Sequence, residues 1–184
     1  MANVFKVAEF FITWANDSSG HMTNLWLNKL LYFAQGQYLA RESSPLFAEQ
    51  IQAWKHGPVV PEVYHKYKVC GDAPIPTPEP QDMSDSDLTA TEKELLFDVI
   101  RKYGIYNAWA LRDMSHETAP WKNSFNGDFF QEITQKDMQD FFSLDGNKIK
   151  SVEIDFSKVE FDGYRDKEGY LVLPAEDDDG DWEV

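Results

Sequence analysis

Of the 184 residues only Cys70 is a cysteine. That excludes an internal disulfide and any zinc cage built from several thiolates, and it fits a reducing compartment. Long apolar runs are also missing: nothing approaches the roughly 18 consecutive apolar residues that a spanning helix needs. The first residues lack a basic segment followed by an unbroken apolar run and a small-residue cleavage site, so no secretory leader is expected. A soluble, cytoplasmic chain with no membrane partner is the expectation. Basic residues are scarce, 17 Lys and Arg against 32 Asp and Glu for a net charge of -15. Nucleic acid is therefore not the expected partner, because phosphate backbones are bound by clustered Lys and Arg. Such acidity suits a basic protein partner, or serves solubility alone. Catalytic punctuation is missing too. There is no G-x-S-x-G elbow, HExxH, Walker loop or dinucleotide fingerprint.

Apolar side chains are not scarce. They make up 42% of the chain, with 15% aromatic, which is enough for a real core. The centre of that core is Met22 to Ala40, where Leu27, Leu30, Leu31, Ala34 and Tyr38 recur at helical spacing. Trp26 and Phe33 widen the stripe, so this helix is expected to be packed on more than one side. Thr23 is placed to cap it, and Gly36 suggests close approach of another backbone. An earlier stripe, Val4, Val7, Ala8, Phe11, Ile12 and Ala15, predicts a first helix over Asn3 to Ala15. Asn16 to Gly20 is the turn that makes the two helices antiparallel neighbours.

Further along, Ile51 to Lys55 alternates like a strand, and His56-Gly57-Pro58 breaks it. Pro61 fits the first turn of a helix running to about Lys68. Four prolines between Gly71 and Ser86 read as an extended, mobile loop. Thr89 and Glu92 form a capping box for a helix through Tyr103 that stops at Gly104. Asn107 caps a shorter helix with Trp109, Leu111 and Met114, ending at Ser115-His116 just before a Pro120-Trp121 turn. Gln135 to Phe142 is a last short helix. The chain then alternates with period 2 over Ile149 to Phe156 and Val159 to Asp162. With a turn at Gly163 to Gly169 and a strand at Tyr170 to Leu173, a small antiparallel element is expected, which could pair with Ile51 to Lys55. Glu176 to Asp181 reads as a solvated acidic end.

The expected class is mainly α (α+β): a helical domain over residues 1–143 around a buried central helix, then a β-rich acidic extension over residues 144–184. No cofactor and no metal site are expected. The Glu62 and His65 pair shares a helical face, but one such pair on a surface helix is ordinarily only a local contact. A Ser115-His116-Glu117 run is not a catalytic triad, since sequence neighbours rarely point at one another. What remains is a binding surface, with Trp54, Lys55, His56, Tyr64, His116 and Trp121 as candidate partner-binding residues. A structural reading stands beside it: Gly57 and Pro58 fix a strand-to-helix turn, and Trp54 and Trp121 fill the core. If the two segments meet, His56 and His116 form one polar cluster.

Three blocks also carry a resemblance. MTNLWLNKLLYFAQGQYLA followed by Pro45-Leu46-Phe47, then IQAWKHGPVVPEVYHKYK, then LRDMSHETAPWKNSF with its Ser-His-Glu step before Pro-Trp, together resemble the Panacea domain. That domain occurs in phage-associated proteins and in SocA-like antitoxins. Within the blocks, Leu30, Leu31, Tyr32, Phe33, Gly57, Pro58 and Pro61 are read as structural. The resemblance implies no enzyme but an antitoxin that neutralises a cognate protein toxin by direct contact, in some relatives also handing it to a cellular protease. A phage-associated protein binding a host factor is the alternative, and a His/carboxylate enzyme using His56 and His116 a further one. Toxin selectivity is assigned to the region after Phe142, where the period changes.

Overall fold

A helix buried on one side needs one apolar stripe; a helix buried on every side needs partners for each polar group it carries. The computed structural model describes residues 1–18, 21–78, 88–127, 130–150, 164–165 and 171–172. Its central helix, α2 (Asn24–Glu42), is of the second kind, following α1 (Val4–Asp17). Every residue from Leu27 to Gln37 is buried. The Thr23 side chain caps its first turn at Trp26 N, and Asn3 caps α1 at Phe5 N.

After α2 come β1 (Gln52–Trp54), β2 (Gly57–Val59) and α3 (Pro61–Tyr67), which closes with a 3-10 turn at Lys68–Cys70. Next are α4 (Ala90–Tyr103), α5 (Ala108–His116), α6 (Ala119–Ser124), β3 (Gln131–Glu132) and α7 (Gln135–Phe142). The expected caps at Thr89 with Glu92 and at Asn107 are formed. α2 packs against α1, α3, α4, α5, α7 and β2, so the protein is mainly α, wrapped round one helix, with a small antiparallel sheet of order β2-β1-β3.

The polar residues of α2 fasten this wrap by acting as substitutes for secondary structure in the loops. Gln35 accepts from Leu46 N and Phe47 N and donates to the Phe47 carbonyl. Asn28 accepts from Val60 N at 2.9 Å, Asn24 donates to the Tyr64 carbonyl, and Lys29 donates to the Pro58 carbonyl at 2.7 Å. Gln37 accepts from Ile149 N and donates to the Asn147 carbonyl. Buried loop backbone is thereby satisfied by side chains of a single helix.

Several sequence expectations are corrected. His56-Gly57-Pro58 is not a strand-to-helix break: Lys55 and His56 form the turn of a hairpin, and Gly57-Pro58-Val59 is its second strand, registered Gln52 with Val59, Ala53 with Pro58 and Trp54 with Gly57. Pro58 is tolerated because β2 is the sheet edge and its carbonyl faces Lys29. Among the described residues the other partner of β1 is β3, through Gln52 with Glu132 and Ala53 with Gln131. Pro120-Trp121 opens the short helix α6 and is no turn. The close approach at Gly36 is by a side chain, since a Cβ there would lie 2.2 Å from the Phe142 ring. Ile75 is pinned in the core by its N–H on the Met22 carbonyl at 2.7 Å, so residues 71–78 are no free loop. Trp109 of α5 is 61% exposed.

Met1–Lys150 is one unit and Ser151–Val184 another. In the second, β4 (Tyr164–Arg165) pairs antiparallel with β5 (Leu171–Val172), so part of the expected turn at Gly163 to Gly169 is strand. The expected strand Val159 to Asp162, most of Ile149 to Phe156, and the acidic end lie outside the described residues, as does the 79–86 part of the proline-rich segment.

Candidate functional site

The hairpin turn, the end of α5 and the start of α6 meet over the middle of α2. Trp121 Nε1 of α6 donates to the Trp54 carbonyl of β1 at 3.1 Å. The Trp121 ring lies nearly parallel to that of His116, centroids 3.9 Å apart and planes at 8°, and on its other neighbour Phe125 at 4.7 Å. Trp54 meets Tyr64 at 4.8 Å and Phe130 at 4.6 Å. His56 stands edge-on to Trp109 at 6.2 Å.

The six candidate residues therefore fall into one neighbourhood, but with different exposure. Lys55 and His56 are exposed at the turn, whereas Trp54, Tyr64, His116 and Trp121 are half-buried. Of the structural set, Leu30, Leu31, Tyr32, Phe33, Gly57 and Pro58 are buried, and Pro61 is half-buried at the start of α3. His65 is exposed, at a centroid distance of 6.5 Å from Trp54. Among the described residues no group of three or more His, Cys, Asp or Glu is placed to hold a metal ion.

Sequence reading passed over the residue at the bottom of this junction. Lys29 is completely buried under the hairpin. Gly57, at φ 94°, is the residue that lets the turn settle on it, because only glycine takes that backbone conformation freely. A Cβ there would sit 2.7 Å from Lys29 Cε and 2.7 Å from Ser115 Oγ. Burial, and then the Arg112 guanidinium, push the Lys29 amine down to about 7. Burial also lowers His116 to about 4, helped by Arg112, Lys29 and His56 and opposed by Asp113. His116 and His56 thus lie within electrostatic reach of each other. At neutral pH the His116 ring is uncharged.

Two more residues complete the junction. Buried Tyr32 shares a 2.7 Å hydrogen bond with Thr118, and Thr118 donates to the Ser115 carbonyl, which fixes the bend between α5 and α6. Burial raises the Tyr32 hydroxyl far above its usual range. The signal for Lys29 and Tyr32 was present in the sequence, as a lysine and a tyrosine inside an apolar stripe. Trp109 also lines an open cleft of about 650 Å³, together with Thr23, Trp26, Ile105, Tyr106 and Asn107 among others.

These elements are the ones a family comparison recognises. The family model for "Antitoxin SocA-like, Panacea domain" matches residues 27–122, from the buried part of α2 to α6. The chain belongs to that family. It is also 46% identical over 50 residues to Antitoxin SocA of Caulobacter vibrioides (strain NA1000 / CB15N). That match spans 27% of this chain and 27% of the relative. No solved structure matches the chain. Among the described residues no helix is long and apolar enough to cross a membrane.

Proposed function

We propose that this Panacea-family chain is an antitoxin that neutralises a cognate protein toxin by direct contact, and that the contact face is the junction of hairpin turn, α5 and α6. One observation carries the reading. The family match covers the elements that build this junction, and their outward side chains leave Lys55, His56 and Trp109 exposed beside half-buried Trp54 and Trp121. Buried polar residues account for the fold, whereas exposed aromatic and basic side chains on a rigid turn have no packing role and are suited to binding. The His116 ring is engaged face to face with Trp121, an arrangement that supports a packed contact surface.

Toxin selectivity is assigned to the chain beyond Lys150, where 12 of the 32 acidic residues fall in the last 34 positions. The contact itself is tested by co-expressing the chain with the product of the neighbouring gene and scoring growth rescue and co-purification. Rescue with a stable complex, lost on His56→Ala with Trp109→Ser, is expected. A neighbour that is harmless when expressed alone and forms no complex would overturn the antitoxin reading. For the tail, truncation after Lys150 is expected to keep the fold while changing which toxins are rescued. An unaltered rescue spectrum in a folded truncation would remove the tail from the account.

A further inference from the structure

Rings that only fill a core are hidden, whereas the cleft at the start of α5 keeps several open to solvent. Trp26 of α2 forms part of its lining and packs edge to face on Trp14 of α1, centroids 5.8 Å apart. Gly104 brings the end of α4 onto that same Trp14, since a Cβ there would lie 2.6 Å from the indole. The turn that follows, closed by the Tyr106 N–H on the Tyr103 carbonyl at 3.1 Å, delivers Ile105, Tyr106 and then Trp109 to the lining. Gly71, at φ 56°, and the bond from the Ala73 N–H to the Cys70 carbonyl hold Asp72 in a second turn that also lines the cleft.

These groups are reachable. Ile105 is 78% and Tyr106 39% exposed, Trp109 and Asp72 are exposed as well, and Trp26 is half-buried. No Lys or Arg lines the cleft, and its carboxylate is Asp72. Among the described residues that carboxylate has neither a hydrogen bond nor an ion pair. The volume of about 650 Å³ is in the range of sites that enclose a ligand group. Trp109 also stands edge-on to His56 at 6.2 Å, so the cleft continues the proposed contact face.

We propose that the cleft seats an arginine side chain of the partner protein, its guanidinium against the Trp26, Tyr106 and Trp109 rings and paired with Asp72. Aromatic faces are electron-rich and attract cations. A guanidinium is planar, weakly hydrated and forked to match a carboxylate, and its methylene stem can lie on Ile105 and Leu25. Charge selects this occupant over two others. A second copy would bring together chains of net charge -15, which repel. A purely apolar side chain would cover Asp72 and leave a carboxylate desolvated without a partner. The source of the arginine rests on the antitoxin reading, whereas the site itself can be tested without a toxin.

The test uses the full chain and N-acetyl-arginine amide as probe, with N-acetyl-lysine amide and N-acetyl-leucine amide compared at equal ionic strength. The indole N–H signals of Trp26 and Trp109 are followed by NMR. The expected result is a saturable shift with the arginine probe, half-complete at about 10 mM, and a response about threefold weaker with the lysine probe. Trp109→Leu and Tyr106→Leu, which keep an apolar side chain but lose the ring, are expected to remove the Trp26 shift. Asp72→Asn is expected to weaken binding several-fold, and Trp109→Phe, which keeps a ring face, to retain part of it. Each variant is first shown folded by thermal melt. An equal response to the leucine probe, tighter binding of the lysine probe, or a shift unchanged in the folded variants would each overturn the arginine assignment. Self-association of the chain in sedimentation, lost in Trp109→Leu, would give the cleft to a second copy instead. An arginine response with no rescue by the neighbouring gene product would sink only the toxin as its source. Rescue without an arginine response would sink only this site.

Discussion

α2 and α5 meet at the same junction, yet most buried polar groups of α2 are paired, the Trp26 indole nitrogen excepted, whereas two nitrogens of the shorter α5 are not. In α2 the buried polar side chains Asn24, Asn28, Lys29, Gln35 and Gln37 are each hydrogen-bonded, mostly to the backbone of a loop far away in sequence. In α5, Arg112 and His116 keep buried nitrogens without a partner, and Trp109 faces outward at 61% exposure. A satisfied polar group in a core specifies structure, because the loop it binds can take few other positions. An unsatisfied one beside an exposed aromatic costs free energy that folding alone does not recover. Under the proposed function, the contrast gives architecture to α2 and recognition to α5.

The comparison breaks if polar anchors on α2 prove dispensable. Gln35→Leu strands the Phe47 carbonyl and the Leu46 and Phe47 amides, and is expected to cost roughly 4 kcal/mol in denaturant unfolding. A loss below about 1 kcal/mol would show that these loops hold themselves. Gly36→Ala drives a methyl into the fully buried Phe142 ring, where the Cβ would lie 2.2 Å from it. Overpacking there is expected to cost about 3 kcal/mol, with Phe142→Ala partly rescuing the clash.

Lys29 is the one anchor on α2 that titrates near neutrality. Its pKa is lowered from 10.5 to about 7, so between those values the unfolded chain holds a proton that the folded chain has released. Stability should therefore rise with pH across that window, by roughly 2 kcal/mol after allowance for relaxation. Below it the full cost of burying the charge remains. Lys29→Met should flatten the profile, and an unchanged slope in that variant would assign the effect to another group. The smallest expected change sharpens the other side of the contrast. Trp109→Ser should alter stability by less than about 0.5 kcal/mol while reducing co-purification with the toxin.

Much of α2 is legible in the sequence. Its apolar spacing, the Thr23 cap and the Thr89–Glu92 capping box are local signals, and each is found where the residues place it. The polar anchors are not legible, because a buried Gln looks the same as an exposed one until the loop it binds is known. The hairpin escapes sequence reading for a related reason. Gly57-Pro58 signals a break in any strand but an edge strand, and edge position is a property of the sheet. The six candidate residues follow from local chemistry alone. Their common neighbourhood rests on the bond from Trp121 to the Trp54 carbonyl, which joins segments 67 residues apart.

By itself the sequence determined where most helices start and stop, α6 excepted, that one of them lies at the centre, and that no thiol framework staples the fold. These follow from spacing, caps and composition, which act over a few residues. Tertiary structure decided that Lys29 is buried beneath Gly57, that His116 stacks on Trp121 and that Trp109 stays outside. Those outcomes depend on which distant segments share a volume. The hydrogen bonds and charges that set them act through space and leave no period in the chain.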